Sequence, residues 1–144
     1  MREIKFRAWD KKKKKMVYPS RLFGHNAGIP SKLYATEVRD KEGFFYSITK
    51  NQIILMQCTG LKDKHGKEIY EGDIVKIIYS TSRMNTPEII VEQVKFVNGA
   101  FMPFYWLREH ENYEIDNLIN VTKNIQVVGN VFENPELLRK VKQG

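Results

Sequence analysis

The sequence predicts a mainly β protein of the β-rich α+β class: a small barrel from about Thr59 to Phe132, an N-terminal β-rich subdomain, and a short C-terminal helix. Three observations carry that expectation. Short apolar runs alternate with polar residues at period two. Turn signals built on glycine beside Asn or Asp fall between those runs. One segment alone, Asn134-Pro135 followed by Leu137, Leu138 and Val141, opens like a helix, with a capping side chain and a proline at the first position. The expected organisation is 1–58 as an N-terminal hairpin and irregular β-rich region, 59–132 as the barrel and 133–144 as helix and tail, together one compact unit.

Arg2 to Trp9 places Ile4, Phe6 and Ala8 on one face and Lys5, Arg7 and Trp9 on the other, as in a strand with one buried face. Asp10 and five lysines, Lys11 to Lys15, separate it from Met16-Val17-Tyr18, so a β-hairpin with a charged tip is expected. Between Pro19 and Asn51 the period fades, leaving Lys32 to Val38 and Phe44 to Ile48 as short strand candidates. Ile53 to Cys58 is expected to be a short buried strand. After it, Lys64-His65-Gly66 and Glu71-Gly72-Asp73 form two tight turns around one short strand, leading into Ile74 to Tyr79. Ile89 to Val97 and Ala100 to Leu107 are joined by Asn98-Gly99, a type I′ hairpin signal. Pro103 lacks an N–H and marks an edge or bulge in the returning strand. Ile125 to Phe132, interrupted by Gly129, is the last strand.

A chain of 144 residues is long enough for one core, and its 42% hydrophobic and 12% aromatic content is that of a folded protein. The net charge is +7, but residues 1–15 contribute +6 of it, and residues 137–144 add three basic groups with no acid. The body between them carries 13 basic against 15 acidic residues, so a broad duplex-binding face is disfavoured. No signal-peptide pattern or membrane-length apolar run is present, and the single Cys58 cannot form an internal disulfide. A soluble protein of the bacterial cytoplasm is expected.

The opening MREIKFRAWD, the block QCTGLKDKHGKEIYEGDIVKI and the closing VVGNVFENPELL together resemble the YopX family of phage and prophage proteins. The three blocks sit at the two ends and the middle of the chain. The resemblance implies an SH3-like barrel, and it implies no catalytic residue and no established biochemical activity. Residues 19–51 and 107–123 hold no motif of that family.

Asp63, His65, Glu68, Glu71 and Asp73 place five potential metal ligands in eleven positions. Two turns fan such groups apart, whereas a metal needs them convergent, so the expected role is geometric. Gly60, Gly66 and Gly72 supply left-handed backbone, and Asp73 bonds its own turn. No metal or cofactor is expected. Lys11, Lys12, Lys13, Lys14 and Lys15 are the candidate nucleic-acid contact, with a solvated hairpin tip as the plainer alternative. Phe101, Phe104, Tyr105 and Trp106 are the candidate interaction surface, either stacking unpaired bases or meeting another subunit. His25, His65, His110 and Cys58 match no catalytic pattern. The expected function is that of a non-catalytic module that self-associates as a homo-oligomer, with a phage or host protein as a further partner. Weak nucleic-acid binding through the lysine tip is the alternative.

Overall fold

A computed structural model describes residues 4–19, 35–79, 86, 88–103 and 124–141, almost all of them in antiparallel strands or the tight turns between them. The chain divides into two compact units, Met1–Gln57 and Cys58–Gly144.

In the first unit, β1 (Phe6–Asp10) and β2 (Lys15–Pro19) form the expected hairpin, and β3 (Ala35–Asp40) and β4 (Phe45–Thr49) form a second one. A 3-10 turn, Lys50–Gln52, leads to β5 (Ile53–Lys62), which is longer than the expected short buried strand and leaves Ile54 and Leu55 exposed. The strands lie in the order β4-β3-β2-β1-β5. β1 sits between β2 and β5, pairing Ala8 with both Val17 and Leu55. That central place corrects the one-faced reading of this strand: Arg7, Ala8, Trp9 and Asp10 are all buried. Ala8, Val17, Val38, Ile48 and Ile53 make one core cluster, and Tyr46 packs against it. Each such side chain contributes about 1.5–3 kcal/mol where fully buried, which is ample reason for the register to hold.

The second unit takes over the far half of β5. Gly60, at φ 82°, sits in a register shift between Cys58 and Lys62, within the pairing of β5 with β6 (Glu68–Tyr70). β7 (Asp73–Tyr79) lies between β11 (Ile125–Asn130) and β8 (Glu88–Gln93). β9 (Lys95–Val97) and β10 (Ala100–Met102) form a ribbon joined by Asn98 and Gly99, both at positive φ (50° and 83°), which is the type I′ signature expected of that dipeptide. Ile69, Val75, Ile77, Val94 and Ile125 form the core, with Leu61, Ile90, Phe101 and Val127 against it. Strands from three sheets thus contribute to one apolar cluster in a mostly β fold.

Three local expectations are revised. The run Ile89–Val97 is not one strand but two, because Val94 turns its backbone to the Gly72-Asp73 turn: its N–H donates to the Asp73 carbonyl (2.8 Å) and its carbonyl accepts from Gly72 (2.9 Å). β10 ends at Met102, ahead of a buried Pro103, and residues 104–107 lie outside the described residues. The helix α1 (Glu136–Val141) is present after Asn134, but the Asn134 side chain reaches back to the Asn130 N–H (3.3 Å), while its backbone carbonyl accepts from Leu137 (3.1 Å). Gly129 makes that backward reach possible. A Cβ there would lie 2.6 Å from Asn134 Oδ1.

Candidate functional site

Two polar clusters are built into the fold, one in each unit. The first belongs to the Gly- and acid-rich block. Asp63, 6% exposed, receives N–H bonds at Oδ1 from His65 (2.8 Å) and Lys67 (3.0 Å) and at Oδ2 from Val127 (3.0 Å). Its own N–H donates to the Lys67 carbonyl, its carbonyl accepts from Gly66, and Lys64 N–H bonds the Ile125 carbonyl. The turn is therefore closed on itself and stitched to β11. Burial alone pushes the Asp63 carboxyl up, but the three backbone N–H groups and nearby His65 outweigh it and hold the carboxyl below its ordinary value. Asp73 Oδ2 accepts from Tyr70 N–H (2.8 Å), as the sequence reading expects of its turn. Gly66 and Gly72 sit at φ 80° and 79°. Among the described residues no group of three or more His, Cys, Asp or Glu is placed to hold a metal ion. The block's two buried carboxylates bond backbone amides, so what they do chemically is fix turns.

The second cluster lies where the β1–β2 hairpin meets β3 and β4. Alternation places Asp10, Lys15, Asp40 and Tyr46 on the same face of the sheet as Ala8, Val17 and Val38, at the end nearest the tip. Asp10, 1% exposed, accepts from the N–H groups of Lys12 (2.9 Å) and Lys13 (3.0 Å) and from the Tyr46 hydroxyl (2.7 Å). Lys15 Nζ pairs with Asp40 Oδ2 at 2.6 Å, and Asp40 Oδ1 takes the Phe44 N–H (2.9 Å). Lys13 Nζ sits 3.5 Å above the Tyr46 ring centre, with Lys15 Nζ at 5.2 Å. Burial raises the Asp10 carboxyl, yet the Lys13 N–H, the Tyr46 hydroxyl, the Lys12 N–H and the Lys13 charge together leave it lowered. Lys15 is the main reason that the Asp40 carboxyl is lowered. Burial, and then the bond to Asp10, push the Tyr46 hydroxyl well above its ordinary value.

This geometry divides the lysine run. Lys11, Lys12, Lys13 and Lys14 are exposed in the turn, with Lys14 at φ 54°, while Lys15 begins β2. Lys13, though exposed, lies over the Tyr46 ring and Lys15 pairs with Asp40, which no local signal in the lysine run announces. Of the aromatic candidates, Phe101 is half-buried against the second core and meets Phe96 edge-on, with 5.0 Å between ring centres. The outward ring of the pair is Phe96, 55% exposed. Phe104, Tyr105 and Trp106 lie outside the described residues. Sequence reasoning passed over Tyr46 and Asp40, whose partners are far away along the chain. It also passed over Phe44 and Phe45, which are 71% and 60% exposed at the start of β4.

The fold and these clusters define a β-rich protein whose polar motifs tie its turns together, and the chain belongs to the YopX family, matching the family described as "YopX protein" over residues 5–139. It is similar to the crystal structure of protein EF1440 from Enterococcus faecalis, with 28% identity and a TM-score of 0.55, covering 96% of this chain and 99% of that one. No curated protein matches the chain. Among the described residues no helix is long and apolar enough to cross a membrane.

Proposed function

We propose that the protein is a phage- or prophage-derived accessory protein of the bacterial cytoplasm that acts as a non-catalytic interaction module and self-associates. The observation that carries the reading is that exposed apolar side chains occur as adjacent pairs on the strands, Ile54 with Leu55 among them. Phe44 and Phe45 flank an outer strand of the first unit. In the second, Ile78 and Ile89 oppose each other across β7 and β8, and Phe96 and Val97 project from the β9–β10 ribbon. Strand edges and apolar side chains of this kind are what a second copy can complete. The buried acids of the central block bond backbone amides, and that supports a structural rather than catalytic use of them.

The test is the molar mass in solution. Light scattering across micromolar concentrations is expected to give a multiple of the chain mass, and a monomer throughout would overturn the reading. Nucleic-acid binding through Lys11 to Lys15 is less well supported, because Lys13 and Lys15 are held against Tyr46 and Asp40. It predicts a salt-dependent gel shift that disappears when all five lysines become glutamine.

A further inference from the structure

Resting on the reading of a self-associating module, we propose that the copies join through β4, whose outer edge pairs antiparallel with β4 of a second copy about a two-fold axis centred at Tyr46. Among the described residues β4 is the terminal strand of its sheet. Its N-terminal pairing with β3 is fixed by Asp40 N–H donating to the Phe44 carbonyl at 3.0 Å, so along the ladder the hydrogen-bonded pairs are Asp40 with Phe44, Val38 with Tyr46 and Thr36 with Ile48. The N–H and C=O groups of Phe45 and Ser47 therefore point away from β3. Thr49 would continue that outward row, but its N–H already donates to Gln52 Oε1 (3.0 Å). The open stretch is thus bounded at both ends, by the turn before Phe45 and by the Thr49 to Gln52 bond.

Native edge strands are ordinarily blunted by an inward charge, a proline, a bulge or a covering segment. β4, FYSIT, carries no charge, proline or glycine, and its register with β3 is unbroken from Arg39–Phe45 to Ala35–Thr49. Phe45 and Ser47 are exposed. β8, at the edge of the three-stranded sheet, carries a charge within the strand at Glu92, whereas β4 carries none. Only one antiparallel register uses every outward group of β4: Phe45 opposite Ser47 of the second copy, and the reverse. The same register carries the exposed Glu42 of each turn toward the exposed Lys50 of the other copy, so the flanks are complementary in charge as well. The interface is isologous and closed, and it yields a dimer rather than a fibre.

The experiment is sedimentation equilibrium on the full chain with a set of variants, each checked for an unchanged far-ultraviolet circular dichroism spectrum. Ser47→Pro removes an outward N–H that β3 does not use, and Ser47→Lys sets like charges close together across the axis; each is expected to weaken dimerisation at least tenfold. Glu42→Lys and Lys50→Glu are each expected to weaken it several-fold at low salt, and the double exchange to restore it. A wild-type oligomer that all four single variants leave intact overturns the β4 interface while the module reading stands. A monomeric wild type overturns both. Weakening by the serine variants without rescue in the charge-exchanged pair overturns the stated register.

Discussion

The hairpin cluster of the first unit and the Asp63 turn of the second use the same residue type for different ends. Around Asp63, all three bonds to the carboxylate come from backbone N–H groups, two in its own turn and one in β11. At the hairpin, Asp10 and Asp40 divide their bonds between backbone and side chains, with Tyr46, Lys13 and Lys15 completing the set. A backbone donor cannot be mutated away or rotated out of reach. A lysine can be, so the second unit's anchor should be stiff and indifferent to salt, and the first unit's adjustable and sensitive to it.

The difference can be broken most severely at Asp63. Asp63→Ala strands three N–H groups around a buried position, and should cost about 3–5 kcal/mol by urea unfolding, with faster amide exchange in β7 and β11. A loss below about 1 kcal/mol would mean that water replaces the carboxylate. Next comes acid, which acts on several groups together. Asp10, Asp40 and Asp63 are all lowered from 3.8 in the folded protein, so their stabilisation is complete above that value and fades as the pH falls below it, the unfolded chain taking up protons first. Tyr46 is raised from 10.0, so its contribution holds below pH 10 and is lost as the pH climbs beyond it. The first unit should show that alkaline loss in exchange measurements.

Tyr46→Phe keeps the ring beneath Lys13 and removes the hydroxyl from Asp10, at an expected cost of about 1–2 kcal/mol, with β1 to β4 amides exchanging faster and those of β7 unchanged. Spread of the effect to β7 would undo the contrast between the two anchors. Gly66→Ala sharpens it from the other side. A Cβ there meets nothing within 4 Å, so the penalty is that of a left-handed alanine alone, about 1–2 kcal/mol. Smallest of all, Lys14→Gly relieves a lysine at φ 54° and should gain about 0.5–1 kcal/mol in the first unit, provided that the tip keeps its conformation.

Much of this was legible because it is local. The lysine-tipped hairpin, the two glycine turns and the Asn98-Gly99 ribbon each depend on residues within a few positions of one another, where turn chemistry and alternation act directly. The unreadable parts are long-range. Nothing near Asp10 indicates Tyr46, 36 residues on, and nothing near Asp63 indicates Val127, 64 residues on. Alternation in Arg2 to Trp9 states which residues share a face but not whether both faces will be covered, which depends on segments distant along the chain. The break at Val94 follows from a turn some twenty residues earlier that claims its backbone. Phe101 was grouped by proximity with aromatic residues downstream, whereas its ring partner is Phe96, across the turn.

The position of β7 between β8 and β11 has a consequence for a chain made from its N-terminus onward. Every strand that β1 to β4 hydrogen-bond to is already in place once Gln57 has been synthesised, so that sheet can assemble while the rest is still being translated. The second unit has no such head start. β7 keeps one flank bare, and Asp63 one oxygen without its amide, until Ile125–Asn130 is made, which makes the nascent chain most vulnerable to misassembly during that interval.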